Sequence, residues 1–281
     1  MVVCVARPLR AQVFIGPAAS AAGSAGRAAI DPGETIYLNP AMVAFLEKYY
    51  ASISTESASH PINGTSGGWG ISLADGTAGT LLPGSLSFVR QIIDPPNGIS
   101  DTQQDIQVNL AVRPFRSLAI GLTGHDQTDQ ILSNLGGAQY TQYGLHVGTL
   151  FTPTAAVGVG FVAYDVIPTG GGVPAPYHVQ PTLAVGGSYS YEKVFRARLD
   201  MVRPDTQNPG QRINVGLGIE SYFEETVAFR LGAFWKETVD QDYLSAGLGY
   251  IGPRLSLNYS FQQDIRNGGN YRHVIDLWLP L

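Results

Sequence analysis

The sequence predicts an all-β chain that closes into an antiparallel transmembrane β-barrel of about fourteen strands. Three observations carry this. From near residue 47 to the end, segments of about ten residues alternate apolar with small or polar side chains. That is the period of a strand with one face toward lipid and the other toward a polar lumen. The connections between these segments are alternately tight and long. Only 14% of the 281 residues are charged and 34 are glycine, whereas soluble domains average roughly 25% charged residues. The longest uninterrupted apolar run is a few residues, far short of the roughly 20 a membrane helix needs, so a helical membrane protein is excluded.

Residues 1–15 read as the remnant of an export signal or a disordered N-terminus. Val2–Ala6 is a short apolar stretch with no Lys or Arg before it, fitting the tail of a signal that starts upstream and is cut near Ala11. Cys4 stands alone, so neither a disulfide framework nor a thiol metal cluster is available, and its surroundings are not those of a lipid-anchored cysteine. Residues 16–46 differ in character. Gly16 to Ile30 is dominated by Ala, Gly and Ser, and Asp31-Pro32-Gly33 then leads to Asn39-Pro40-Ala41. Small residues let a chain pack closely against a wall, and Pro40 fixes a bend while disfavouring helix at Asn39. A segment folded into the barrel and a plain turn into the first strand both satisfy this pattern.

Residues 47–281 form the barrel, with strands expected near 47–55, 68–75, 82–93, 105–114, 117–126, 138–152, 155–167, 178–192, 195–204, 212–224, 226–237, 242–252, 255–265 and 271–281. The clearest is 212–224, where Ile213, Val215, Leu217, Ile219 and Phe223 oppose Arg212, Asn214, Gly216, Gly218 and Glu220. No segment shows the three- and four-residue apolar spacing of a helix. The count is even, as in single-chain bacterial barrels. Even-to-odd joins are tight, such as Pro114-Phe115-Arg116, Pro153-Thr154, Glu192-Lys193-Val194, Glu224-Glu225 and Gly252-Pro253-Arg254. Most odd-to-even joins are longer and more polar: 56–67, 94–104, 127–137, 168–177, 205–211 and 266–270. Barrels have short periplasmic turns and long external loops, so strict alternation puts both termini in the periplasm. Tyr143, Phe151, Tyr189, Tyr191, Phe223, Trp235, Tyr250 and Phe261 lie toward strand ends on the apolar face, where interfacial girdles belong. The last strand carries Ile275, Leu277, Leu279 and Leu281 on one face, and Pro280 removes a ladder donor where only a strand end tolerates it.

Ala25-Gly26-Arg27-Ala28, the Asp31 region and Asn39-Pro40-Ala41 just before the first strand resemble the FadL-type family of outer-membrane transporters for hydrophobic compounds, together with the related PorV-type barrels of secretion systems. The resemblance implies that the N-terminal segment folds into the barrel as a plug. It places Asn39, Pro40 and Ala41 inside the lumen and makes them, with Arg27 and Asp31, the plug or gating residues. The chain departs from the family in being shorter, and its loops offer no long helical excursions to form an external groove.

Charges expected to line the lumen are Arg113, Arg196, Arg198, Asp200, Arg212, Glu220, Arg230, Lys236 and Asp276. Because the strands of Arg198, Glu220 and Arg230 are consecutive, these three are expected to form a ladder of opposite signs, lining a polar path or stiffening a filled barrel. His60, His125, His146, His178 and His273 are scattered without metal-ligand spacing, so no metal site is expected. The adjacent His125-Asp126 resembles the acid/base pairs of outer-membrane proteases, but it stands without a second carboxylate pair. Gly170-Gly171-Gly172 lacks the Lys and helix start of a phosphate loop. No serine-hydrolase motif and no cofactor motif is present, so no enzyme is expected. The net charge of -5 and pI near 5.5 argue against nucleic acid. Two functions remain open. One is passive passage of small hydrophobic molecules through a plugged outer-membrane barrel. The other is an accessory barrel that holds a secretion or envelope complex. Expected partners are outer-membrane lipids and lipopolysaccharide, small hydrophobic ligands, and envelope-complex proteins.

Overall fold

The computed structural model describes residues 14–60, 64–77, 79–94, 100–133, 136–167, 172–174, 177–192, 194–204, 210, 212–238, 240–266 and 268–281. Cys4 and nearly all of the presumed leader lie outside the described residues, as do Lys193 and two glycines of the Gly170–Gly172 run.

Fourteen strands run in chain order: β1 Tyr49–His60, β2 Gly64–Asp75, β3 Gly84–Asp94, β4 Ser100–Phe115, β5 Leu118–Ser133, β6 Gly136–Thr154, β7 Val157–Tyr164, β8 Thr182–Tyr191, β9 Phe195–Arg203, β10 Asn214–Phe223, β11 Val227–Lys236, β12 Gln241–Ile251, β13 Ser256–Asp264 and β14 Tyr271–Pro280. Each pairs antiparallel with its chain neighbours, and β1 pairs with β14 from Tyr50↔Pro280 to Ser59↔Tyr271, so the sheet is a closed barrel. Closure satisfies every strand edge, the condition for β-structure in a membrane. Pro280 sits at the end of its strand, where the missing donor costs least.

Burial is inverted relative to a soluble protein. On β10 and β11, the outward Leu217, Ile219, Phe229 and Leu231 are 42–57% exposed, while the inward Asn214, Glu220 and Arg230 are at most 7% exposed. Aromatics ring the turn end, with Phe115, Phe151, Tyr189, Tyr191, Phe223 and Tyr250 all exposed on the outer face. Trp69, Tyr143, Trp235 and Tyr271 occupy the outer face toward the other end.

The connections differ from expectation in an informative way. Segments 56–67, 94–104 and 127–137, expected as loops, are largely strand. Here β4, β5 and β6 reach 16, 16 and 19 residues, against roughly 9–11 needed to cross a bilayer. Their period-2 alternation persists, but neither face is apolar. Asp101, Gln103 and Asp105 on β4, with Gln127 and Asp129 on β5, point inward and are buried. Backbone pairing and buried polar contacts therefore extend the hairpins beyond the apolar belt.

Residues 14–46 pack along the inner wall. Short helices α1 Pro17–Ala21 and α2 Thr35–Leu38 and a 3-10 turn Pro40–Phe45 form there. As Pro40 requires, Asn39 is extended (φ -153°), and its side chain accepts from Ala41 N to cap the 3-10 turn. Glycine on the inward faces makes room for this segment. A Cβ at Gly232 would lie 2.1 Å from Gly23 N, and one at Gly121 would lie 2.3 Å from Pro40 C. These wall glycines are sites of close backbone approach.

Candidate functional site

The lumen is built from inward-facing side chains and residues 14–46. The segment touches inner faces around the ring. Gly23 N donates to Ser245 Oγ of β12 at 3.1 Å, and Gln262 Nε2 of β13 donates to Ser20 O at 2.9 Å. Across the lumen, Ser188 Oγ of β8 donates to Ala28 O at 2.7 Å, and Asn109 Nδ2 of β4 donates to Pro40 O at 3.1 Å.

Its anchor is Arg27, which is 3% exposed. Asp200 Oδ2 of β9 accepts from Gly26 N (2.9 Å), Arg27 N (3.0 Å) and Arg27 Nη1 (2.9 Å). Arg27 Nε donates to the Tyr164 hydroxyl at 2.9 Å, and that hydroxyl in turn donates to Leu38 O. Asn39 Nδ2 donates to Arg27 O (2.9 Å) and Thr149 O of β6 (3.0 Å). Arg27, Asn39 and the wall thus form one bonded unit. Glu34 closes the segment on itself, accepting from Gly16 N (3.1 Å) and Ala19 N (2.9 Å). Burial, with the Asp31 carboxylate second, pushes the Glu34 carboxyl up to about 7.

The expected charge ladder is present and extends further than three strands. Glu220 lies opposite Arg196 on β9 and Arg230 on β11. It accepts from Arg198 Nη2 at 3.2 Å and from Arg230 Nε, and Arg196 Nη1 is 3.4 Å away. Asp31 of the segment joins at 3.0 Å from Arg198 Nη2. Arg230 Nη1 donates to Asn258 Oδ1 at 2.9 Å, and Asn258 Nδ2 donates to Asp276 Oδ1 at 2.9 Å. The chain of contacts spans β9 to β14, crossing β12 where its inward Gly249 leaves space for the Arg230 guanidinium.

Two expected lining charges stand elsewhere, and a third sits at the lumen's edge. Arg113 follows Val112, where the β4–β5 register shifts, and it is exposed at the turn. It donates to Arg116 O, and its guanidinium lies 4.2 Å from the Phe45 ring centroid. Arg212 precedes β10, and its side chain is 68% exposed and pairs with Glu237 at 3.2 Å. Both leave the lumen because the strict alternation ends before them. Lys236 keeps its inward position but is half-buried at the end of β11.

His125 and Asp126 do not act as a pair, because successive strand residues face opposite sides. Sequence reading missed the actual partners of His125. Its Nδ1 is 3.1 Å from Asp105 Oδ1, and its Nε2 is 2.6 Å from Asp165 Oδ1. His146 stacks beside it at 4.4 Å between ring centroids. Only the register of β4 to β7 brings these four residues together, so no local spacing announces them.

A further patch, on β3 to β6 and β14, is apolar. Val89, Ala111, Ala119, Leu150 and Val274 of the wall cluster with Ile36, Leu38, Met42, Val43 and Leu46 of the segment.

A closed antiparallel barrel with an apolar outer belt, aromatic rings and a polar lumen is a transmembrane β-barrel. Comparison with solved structures narrows the fold to the FadL type. The CymD monoaromatic hydrocarbon channel matches with TM-score 0.77 at 13% identity, over 95% of this chain and 97% of that one. The Ralstonia pickettii toluene transporter TbuX matches at 0.74 and 13% identity, over 95% and 98%. A Pseudomonas aeruginosa FadL homologue matches at 0.69 and 12% identity, over 95% and 98%. No protein-family model matches the chain, and no curated protein matches it in sequence.

Proposed function

We propose that this protein is an outer-membrane barrel that passes small hydrophobic molecules, with residues 16–46 as a plug whose movement gates the lumen. The observation that supports the reading is that residues of 14–46 bond to inward faces at Asp200, Thr149 and Asn109, where wall glycines leave them room. A lumen plugged in this way would be poorly suited to a general diffusion pore. The apolar patch between Met42, Val43 and Leu46 and the wall is buried while the segment is docked, and movement of the segment would open to a hydrophobic solute a surface that a water-filled porin lacks. The structural neighbours described as a hydrocarbon channel and a toluene transporter support the same class of cargo. Arg27, Asp31, Asn39, Pro40 and Ala41 are the gating residues, and the ladder from Arg196 to Asp276 holds the opposite wall. The start of β1 and the end of β14 lie at the tight-turn end, which we assign to the periplasm, and on this reading both termini are periplasmic.

The accessory reading draws support from one feature, the extension of β4, β5 and β6 beyond membrane thickness, which presents a surface to partners. Uptake of labelled toluene by cells expressing the chain decides between them. Transport predicts faster uptake than in cells carrying empty vector. Equal uptake together with stoichiometric co-purification of envelope proteins would establish the accessory role instead.

A further inference from the structure

We propose that the inner wall holds a binding site for one divalent transition-metal ion of the zinc class, formed by His125 of β5, His146 of β6 and Asp165 just after β7. One ligand atom from each lies within 4.8 Å of the others. Around Asp165 Oδ1, His125 Nε2 stands at 2.6 Å and His146 Nδ1 at 3.7 Å. Two imidazoles and a carboxylate at this spacing close around an ion with metal–ligand distances of about 2.0–2.2 Å after small side-chain rotations. The donor set is nitrogen-rich, which selects zinc, cobalt, nickel or copper over calcium or magnesium.

The surroundings resemble those of a built site. The far nitrogen of His125, Nδ1, rests 3.1 Å from Asp105 Oδ1. A carboxylate behind a ligating histidine is the usual device for fixing ring orientation. Asp105 is itself bonded to Gln107 Nε2, and the His146 ring is packed edge-on to Tyr164 at 5.2 Å. Asp165 N donates to His146 Nδ1 at 3.1 Å, so that nitrogen is the unprotonated one, and an ion would displace this hydrogen bond to take its lone pair. The His146 side chain retains 11% exposure, which gives an ion a route in. Three protein ligands leave coordination positions open for water. The cluster also lies one residue from Tyr164, whose hydroxyl holds Arg27 and Leu38. Occupancy would therefore brace the wall where the N-terminal segment is anchored.

The test is calorimetric titration of the purified full chain in detergent with zinc and, separately, cobalt, in a buffer that does not coordinate metals. The proposal expects one saturable site. It also expects visible cobalt absorption bands of an ordered nitrogen and oxygen coordination sphere. His146→Ala removes a ligand and should weaken affinity by more than about 100-fold, beyond the roughly 10–100-fold that loss of a supporting outer-shell partner costs. Asp105→Asn, which touches no ion, should weaken it less while preserving the cobalt bands. His273→Ala, on β14 and bonded to Tyr259 instead of the cluster, should leave binding unchanged. If the His146→Ala barrel unfolds, His146→Gln replaces it and the circular dichroism of both is compared. No saturable binding, or binding that survives both His146 variants in a folded barrel, would overturn the proposal.

Discussion

Replacing Asp200 with asparagine tests how firmly the N-terminal segment is held. The substitution keeps the side-chain volume and one acceptor but removes the charge that Arg27 faces. Three donors converge on one carboxylate oxygen, two of them backbone amides of the segment. Breaking a buried ion pair by neutralising one partner costs about 3–5 kcal/mol. Arg27 keeps its bonds to Tyr164 and to Ser24 O, so the lower end, about 3 kcal/mol, is expected. At a factor of ten for each 1.4 kcal/mol, the undocked population of the segment rises roughly 100-fold. Hydrogen exchange of the detergent-solubilised full chain, read by mass spectrometry, measures this directly. Peptides covering residues 16–46 should lose protection by about two orders of magnitude, while those from β1 and β14 keep theirs. Unchanged exchange in the segment would show that Asp200 does not anchor it. An equal loss in all strands would show that Asp200 supports the barrel and not the segment.

Other substitutions probe other contacts. Glu220→Gln leaves Arg196, Arg198 and Arg230 facing one another with only Asp31 between them. It should lower the unfolding free energy of the barrel in lipid vesicles by about 3–5 kcal/mol, with part recovered when Arg230→Leu is added. A wild-type urea midpoint would show that these charges are not coupled. Gly232→Val places a Cβ against Gly23 N, a backbone atom that cannot rotate away. Swelling assays should then show entry of a small sugar that the parent barrel excludes, and exclusion by the variant would count against close packing there. Glu34 supplies a pH dependence. Its docked carboxyl titrates near 7 against an ordinary value of 4.5, so docking favours the protonated form. Protection of residues 16–46 should be highest below pH 4.5, decline as pH rises toward 7 and then level off. Glu34→Gln should flatten that profile, and a profile that rises with pH would contradict the assignment.

The strands are legible because a two-sided wall writes period 2 into the chain, and every one of the fourteen expected segments overlaps a strand of the barrel. The extended ends of β4 to β6 are not, because residues such as Asp101, Gln103 and Gln127 alternate without an apolar face. The Arg198–Glu220–Arg230 ladder was readable from consecutive strands of matching parity. Arg113 and Arg212 were misplaced because parity was carried past a register shift in one case and past the start of a strand in the other. The cluster of Asp105, His125, His146 and Asp165 has about 20 residues between successive members. Only strand register, which no local spacing encodes, could assemble it. The glycines of the inner wall did carry a signal. Their purpose became visible only once the segment lay against them.

On the proposed function, the N-terminal segment keeps polar solutes out of a barrel that passes hydrophobic ones. The most direct test measures two solutes in the same reconstituted vesicles, labelled toluene and a small sugar, with the full chain and with residues 14–46 deleted. For the full chain, toluene flux above protein-free vesicles and no sugar entry are expected, with sugar entry once the segment is gone. Sugar entry through the intact chain, or toluene flux no greater than that of empty vesicles, would contradict the proposed function.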